Sequence, residues 1–397
     1  MKSAWFFNLR PGYYMKYLII GAGIAGVSAA KEILKEKEKD DKIIIITDEE
    51  YPFYYRPRLI ECLSGKTTVK DLVIHDKKWF EDNNIQLNLN ESVKSIQAEK
   101  KEIISDKNTY TYDKLLIANG AKSFLPPIKG IRKDNVFSLR DAKDAERIYN
   151  YAINANTAVV LGGGLLGLES AYNLSKLGLN VSVVEVMERL LPRQLDKDAA
   201  QVLKSLLEEK GLKLYLDDKV EEFIGRDKVR KLKLSSNKII NTDLVLVSAG
   251  SHPKIDLAAS LDSLVINRGL KVNKYLESNI PDIYAAGDIV EIQDTVFGLW
   301  TTAQEMGKIA GLNILGNKME FKIPVNTYKL KILGIDLISI GEIDLDKKLK
   351  SKVELEKNHY RKLIYNENDQ LIGAIILGKF PDNNKLIADI KAREKES

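Results

Sequence analysis

The same turn occurs twice in this chain. Residues 17–26 read Tyr-Leu-Ile-Ile-Gly-Ala-Gly-Ile-Ala-Gly, and residues 161–167 read Leu-Gly-Gly-Gly-Leu-Leu-Gly. In each case a short apolar run meets glycines at the first, third and sixth positions of the turn and then a helix-forming segment. Such a run is a buried parallel strand turning sharply into a helix, with glycines wherever a side chain would block a phosphate. One G-x-G-x-x-G is a weak signal. Two in one chain point to two strand–turn–helix units, each on a parallel sheet, and imply two bound nucleotides with electrons moving between them.

Bulk properties narrow the chemistry. A chain of 397 residues is too long for one ordinary core, so two or three domains are expected. No apolar run approaches the roughly 20 residues a membrane span needs. Residues 1–10 lack the apolar region and cleavage site of a secretory signal, so a cytoplasmic location is expected. Met15 directly precedes the first strand, and residues 1–14 are set aside as an extension of unclear status. Cys62 is the only cysteine, which excludes a dithiol, a cysteine-bound zinc and an iron–sulfur cluster. His75, His252 and His359 stand at no metal-ligand spacing, so no metal site is expected. Redox chemistry must then live on a bound organic cofactor. The net charge of +5 reads either as a solvated lysine-rich surface or as a basic face that steers an acidic partner. No basic-aromatic patch suggests nucleic acid.

After the first turn and its helix, a second buried strand at 42–47 ends in Asp48 and Glu49. An acid at this place holds a ribose diol in dinucleotide folds, and the sequence leaves the choice between the two open. The aromatic, proline-stiffened loop 51–59 is either a packed surface loop or the wall of a site that sets Arg56 near a flat cofactor. Helices are expected at 60–65 and 71–83, and strands at 85–89 and 101–104. The buried strand within 111–120 ends in Ala118-Asn-Gly120, where backbone can approach a ligand. A connecting helix is expected over 134–155.

The second unit opens at 158–161. Its helix, 168–177, carries Glu169 early, and its second strand, 181–185, ends in Glu185. An acid there accepts from both ribose hydroxyls, whereas a phosphorylated ribose would want arginine, so NADH rather than NADPH is expected. Arg189 and Arg193 lie nearby and are read as serving the turn around Pro192. A helix at 197–210 and strands at 213–216, 220–224 and 229–234 follow. Residues 241–250 repeat the form of 111–120 and end in Gly250, a duplication of whole domains. Residues 279–288 end in Gly287-Asp288, where the acid would accept from a polyol chain. The helix beginning near 298 offers a positive end to the electron-rich carbonyl of a reduced cofactor. Beyond residue 320, short strands at 329–333, 336–341, 360–365 and 370–377 and a helix at 384–393 suggest an antiparallel domain that caps or dimerises.

The two turns, the Ala118-Asn-Gly120 strand end and Ile283-Tyr-Ala-Ala-Gly-Asp288, in this order, resemble the FAD/NAD(P)-dependent pyridine nucleotide-disulfide oxidoreductase superfamily. Within it, Tyr54-Tyr-Arg-Pro57, Glu185 with Leu190-Leu-Pro-Arg193, and Trp300-Thr-Thr-Ala-Gln304 resemble the NADH:rubredoxin reductase and nitrite reductase N-domain group. The resemblance implies an α/β fold: two Rossmann-like FAD- and NAD-binding domains, glutathione-reductase-like, plus a small α+β C-terminal domain. The boundaries expected are 15–121 with 250–318 for FAD, 122–249 for NAD(H), and 319–397 for the last domain. FAD would lie on Gly21, Gly23 and Gly26, with Asp48 or Glu49 on ribose and Asp288 on the ribityl chain. Ala118, Gly120, Gly250 and Gly287 would line the cofactors, Arg56 would stand near the flavin, and Thr301 and Ala303 would meet its pyrimidine edge. NADH would lie on Gly162, Gly164 and Gly167, with Glu185 on ribose and Glu169 approaching the nicotinamide.

Two departures accompany the resemblance. Relatives that reduce ferredoxins or rubredoxins often carry lysine where Glu61 stands, and the redox cysteine of peroxidase relatives belongs nearer Pro57 than Cys62. The implied reaction is hydride transfer from NADH to FAD, with Glu169 and Arg56 as the catalytic candidates. Electrons would then pass to a small acidic one-electron carrier such as rubredoxin, from a monomer or homodimer. The rivals are an oxygen-reducing NADH oxidase, the electron-input part of a nitrite reductase, and a non-enzymatic NADH-sensing flavoprotein.

Overall fold

The structure, a computed structural model, describes residues 14–323, 327–332, 334–346, 348–356 and 358–394, so all but Tyr14 of the expected extension lies outside the described residues. In chain order the α-helices are α1 (Ile24–Glu36), α2 (Leu59–Cys62), α3 (Lys77–Asp82), α4 (Ala142–Ala152), α5 (Leu165–Ser175), α6 (Lys197–Glu209), α7 (Trp300–Ile314) and α8 (Asn383–Glu394). The chain divides into two compact units, one of residues 1–55, 72–122 and 251–322, the other of residues 56–71, 123–250 and 323–397.

The first unit is built on five strands in the spatial order Ile283–Ala285, Lys114–Ile117, Lys16–Ile20, Lys42–Ile46, Ile85–Asn88. Every neighbouring pair is parallel. A parallel sheet is covered on both faces, which is why its strands read as unbroken Ile and Leu rather than as an alternation. Four of the five residues of Lys42–Ile46 are accordingly buried. Helices α1 and α7 lie against each other at backbone distance. A Cβ on Gly307 would overlap the backbone of Ala25, and one on Gly311 the backbone of Ala29. Two glycines spaced four apart on α7 therefore meet two alanines spaced four apart on α1.

The second unit repeats the plan in the order Lys213–Tyr215, Asn180–Val184, Thr157–Leu161, Leu244–Val247, Val136–Ser138, again all parallel. Each unit also carries a three-stranded antiparallel meander, at 93–111 in the first and 220–241 in the second. The C-terminal segment forms a five-stranded antiparallel sheet in the order Thr327–Ile332, Ile335–Gly341, Leu371–Leu377, His359–Tyr365, Lys350–Glu356, with α8 against it. It belongs to the second unit and is joined there by a buried charged knot. Lys362 Nζ lies 3.5 Å from both Asp196 and Asp344, all three side chains are nearly inaccessible, and the Tyr360 hydroxyl donates to Asp196 at 2.8 Å. Asp196 also caps α6, accepting from the Ala199 N–H.

Local departures from the sequence reading have local causes. Residues 71–83 hold not one helix but a 3₁₀ turn and α3, separated at Val73, which pairs with Tyr54 across the chain. The Asp76 carboxylate then caps α3 through the Trp79 N–H. Residues 134–155 begin with the strand Val136–Ser138 before Asp141 caps α4. The strands Val93–Gln97 and Lys350–Glu356 were not foreseen. Lys350–Glu356 is an edge strand exposed at six of its seven positions, with Val353 and Leu355 its only apolar residues, too few for an apolar run to stand out.

Candidate functional sites

Six of the α-helix starts divide into two kinds. Helices α3, α4 and α6 each begin under an aspartate, Asp76, Asp141 and Asp196, whose carboxylate accepts a first-turn N–H. Helices α1, α5 and α7 begin at Gly23, Gly164 and Leu299, none of which offers a capping side chain, and no first turn among them holds an acid. Their free N–H groups form positive ends without an internal counter-charge. These three are the helix starts the sequence assigns to cofactors.

The two glycine turns are near copies. Gly21 has φ +110° and Gly162 φ +118°, and a Cβ on either would strike a carbonyl oxygen of the neighbouring strand end, that of Ala118 or Ser248. Gly26 and Gly167 lie in their helices so close to the backbone of Gly21 and Gly162 that no side chain fits. At the middle positions, Gly23 and Gly164, a Cβ would meet nothing within 4 Å. The first and third glycines of each turn thus serve the protein's own packing. The middle ones border open space in front of bare N–H groups, the shape and polarity a pyrophosphate requires. The residues fit the nucleotides the sequence calls for.

Around the first turn the structure gathers several of the expected residues. Gly287, at φ +83°, faces Ala25 of α1 and Ala303 of α7, so its lack of a side chain leaves room where the two helix starts converge. Asp288 follows it, half-buried. Thr301 is exposed and Ala303 buried in the first turn of α7. Ala118 is buried beside Gly21, and Gly120, at φ +74°, accepts from the Lys254 N–H. Asp48 and Glu49 both have protein partners: Lys254 Nζ stands 2.5 Å from Asp48, and the Tyr54 hydroxyl donates to Glu49 at 2.5 Å. Lys254 was not singled out from sequence; it lies more than two hundred residues from Asp48. Beside the α7 start an open cavity of about 290 Å³ is lined by Ile24, Phe53, Tyr55, Trp300, Gln304 and Lys308.

In the second unit Glu185 is buried, and both carboxylate oxygens accept backbone N–H groups. Gly163 of the turn donates at 2.6 Å and Met187 at 2.8 Å. Arg189 is spent on the following turn, against the carbonyls of Pro192 and Leu195 and the Glu188 carboxylate, as expected. Gly250 has φ +101° and its carbonyl accepts from the Phe124 N–H. Arg56 donates to the Arg140 carbonyl at 2.8 Å. Glu169 on α5 is half-buried, and burial first, then the charge of Glu61, pushes its carboxyl up to about 7. Arg58 engages both oxygens of Glu61, from Nε at 2.8 Å and Nη2 at 2.6 Å, and holds it below the usual carboxylate range. Cys62 is buried, and burial raises its thiol to about 11, so it is no thiolate near neutrality. Among the described residues no group of acids, histidines or cysteine is arranged to hold a metal, and no helix is long and apolar enough to cross a membrane.

Comparison with known proteins agrees with this arrangement. Residues 15–307 match the pyridine nucleotide-disulphide oxidoreductase family, and residues 324–394 match the rubredoxin NAD+ reductase C-terminal domain. An NADH-rubredoxin oxidoreductase from Clostridium acetobutylicum is 33% identical over 94% of this chain and 93% of its own length. The crystal structure of the NADH:rubredoxin oxidoreductase of that organism superposes with a TM-score of 0.80 at 32% identity, covering 96% of both chains. A nitrite reductase [NAD(P)H] from Bacillus subtilis is 34% identical over 94% of this chain. The chain spans about half the length of that protein, 47%, and 48% of an assimilatory nitrate reductase electron transfer subunit from the same organism.

Proposed function

Because the chain belongs to the pyridine nucleotide-disulphide oxidoreductase family and takes FAD and NADH as its cofactors, we propose that it passes electrons from NADH through FAD to a small acidic one-electron carrier, rubredoxin being the first candidate. In this reading FAD lies on Gly21, Gly23 and Gly26, with the starts of α1 and α7 on its phosphates and its pyrimidine edge and Asp288 on its polyol. NADH lies on Gly162, Gly164 and Gly167, with Glu185 toward the ribose and Glu169 and Arg56 toward the reacting rings. The flavin supplies the two-electron to one-electron conversion; the protein supplies binding, orientation and charge.

The observation that carries the outlet is the state of the sulfur. Cys62 is the only cysteine, and it is buried with its thiol raised, so no dithiol and no thiolate accepts electrons from the flavin inside this chain. An external acceptor must take them. The net charge of +5 and the match of residues 324–394 to a rubredoxin reductase domain favour an acidic carrier. The similarity to half of a longer nitrite reductase supports a second reading, in which the same half-reaction feeds a partner that holds its own redox centre.

Anaerobic stopped-flow separates these readings. NADH should bleach the bound flavin, and added rubredoxin should restore it with a second-order rate that falls steeply as salt rises. Reduction by NADH without reoxidation by rubredoxin would remove that acceptor and leave oxygen or a partner reductase to be tried in the same cell.

A further inference from the structure

The C-terminal sheet ends on one side in the strand Lys350–Glu356. It pairs with His359–Tyr365 and, among the described residues, with no strand on its other side. Its outer row of backbone N–H and C=O groups is open to another strand. The register with His359–Tyr365 sorts its side chains between two faces. Lys350, Lys352, Glu354 and Glu356 lie beside Tyr365, Leu363, Arg361 and His359, while Ser351, Val353 and Leu355 lie beside Ile364, Lys362 and Tyr360. Charge is confined to one face and the apolar pair to the other. That apolar face is covered further in and bare at the edge. Lys362 and Tyr360 are buried against Asp196 at the start of α6, whereas Val353 and Leu355 next to them are 49% and 64% exposed.

Edge strands are ordinarily blunted by charge, but the charges here are ordered rather than mixed. The strand reads Lys-Ser-Lys-Val-Glu-Leu-Glu, both lysines before Val353 and both glutamates after it. Such a strand is complementary to its own reverse. Set antiparallel against a second copy about a two-fold axis at Val353, Lys350 meets Glu356, Lys352 meets Glu354, Ser351 meets Leu355, and Val353 meets itself. Moving the axis by one residue puts Lys352 on Lys352 or Glu354 on Glu354, and a parallel alignment in register puts every charge on its like. Like charges directly opposite are destabilising, so one register stands out. Within its own chain Lys350 also pairs with Asp369, and Glu354 with Lys352 and Arg361, a network that a second copy doubles.

We propose that Lys350–Glu356 is the seam of a homodimer: two copies of the chain join edge to edge about a two-fold axis at Val353, so that their five-stranded sheets become one continuous sheet. Each edge gains the backbone hydrogen bonds it lacks, and Val353 and Leu355 of both copies form one apolar patch across the axis. The symmetry closes, because a strand edge used by two copies is not available to a third. The seam is short, seven residues a side against roughly 20–30 in a standard interface, so the dimer forms and dissociates with concentration. It involves no residue assigned to FAD or NADH and is independent of which acceptor the flavin serves.

Sedimentation of the FAD-loaded chain from about 1 μM to about 1 mM should show a monomer–dimer equilibrium and no larger species. Glu356→Lys and Lys350→Glu, both at exposed positions, each turn attraction into repulsion at the two ends of the seam. Each should raise the dissociation constant of the dimer about tenfold or more while leaving the melting temperature little changed. An equal mixture of the two variants, and the chain carrying both changes, should dimerise like the native protein, because every lysine again meets a glutamate. Val353→Cys should form an interchain disulfide under a mild oxidant, since facing Cα atoms lie about 4.5–5.5 Å apart. Leu355→Cys, displaced from the axis, should not, and the native Cys62 is buried. The proposal is overturned by a chain that stays monomeric over the whole range, by species larger than a dimer, or by single variants that dimerise like the native chain. Variants that fail to pair when mixed, or a Leu355→Cys chain that cross-links as readily as Val353→Cys, overturn it equally.

Discussion

The three glycines of a turn should fail in different ways when each becomes alanine. Gly23 has φ −75° and ψ −177°, which alanine adopts freely, and its Cβ would enter open space. The apoprotein of Gly23→Ala should therefore melt within about 1 kcal/mol of the native chain, a slightly poorer cap being offset by a less flexible unfolded state. That open space is where a pyrophosphate must sit against the α1 N–H groups. Each charge-assisted bond lost there is worth roughly 1.5–3 kcal/mol. FAD should consequently bind about 10- to 150-fold more weakly for each bond lost. Gly21→Ala, at φ +110° and against the Ala118 carbonyl, and Gly26→Ala, against the Gly21 backbone, should instead destabilise the apoprotein by about 1–3 kcal/mol or more. Calorimetry of the apoproteins and titration with FAD by flavin fluorescence separate the two effects. The same contrast holds for Gly164 against Gly162 and Gly167, with NADH in place of FAD and flavin loading unchanged. A Gly23→Ala chain that binds FAD like the native one, or melts as low as Gly26→Ala, would refute this division of roles.

Three further outcomes follow from the side chains. Glu169 has a folded-state pKa raised from 4.5 to about 7, so its protonated form is favoured by the fold and the associated stability is present below 4.5 and lost as pH rises through 7. Glu169→Gln should then match the native chain near pH 4.5 and exceed it by about 1–2 kcal/mol at pH 8, a half-buried group realising only part of the shift, while flavin reduction by NADH slows; urea denaturation at both pH values checks the sign. Lys362→Met leaves Asp196 and Asp344 buried without their cation and should cost about 3–5 kcal/mol, seen as a large fall in melting temperature and as easier proteolytic release of residues beyond 323. Glu185→Gln can accept from only one of the Gly163 and Met187 N–H groups, and should weaken NADH binding roughly tenfold or more with FAD affinity unchanged, read from the NADH dependence of flavin reduction.

What the sequence made legible is what repeats at short range. The glycine turns, their strands of Ile and Val and the strand-end acids all fall within about 25 residues of one another, where periodicity and spacing are informative. The contrast of helix caps was also open to reading, with aspartate before α3, α4 and α6 and glycine before α1 and α5. Long-range pairings were not. Gly307 and Gly311 showed the four-residue spacing of a close helix contact, but nothing in the chain named Ala25 and Ala29 as the other side. Lys254 reaches Asp48 from more than two hundred residues away. Glu61 was visible only as a missing lysine. Arg58 stands three residues before it, a spacing open to reading, but the packing of α2 against α5 has no sequence period. The knot at Lys362 was hidden because a lysine within an alternating strand reads as solvent-facing.

The two turns differ in one respect that bears on how the cofactors are used. In the second, the strand-end acid is tied to the turn itself: Glu185 accepts from the Gly163 N–H, the residue between the first two glycines of the motif. In the first, the equivalent residue is Ala22, and no acidic side chain among the described residues makes that bond; Asp48 and Glu49 turn instead to Lys254 and Tyr54. The second site is thus held in its binding shape by its own carboxylate before any ligand arrives, which reduces the ordering cost of each binding event. A cofactor that stays bound meets that cost once. A co-substrate that enters and leaves at every turnover meets it every time, and the braced turn is the one assigned to NADH. Loosening the brace should therefore lower the NADH on-rate as well as its affinity, whereas a rigid-site explanation based on contacts alone would place the whole effect of Glu185→Gln in the off-rate.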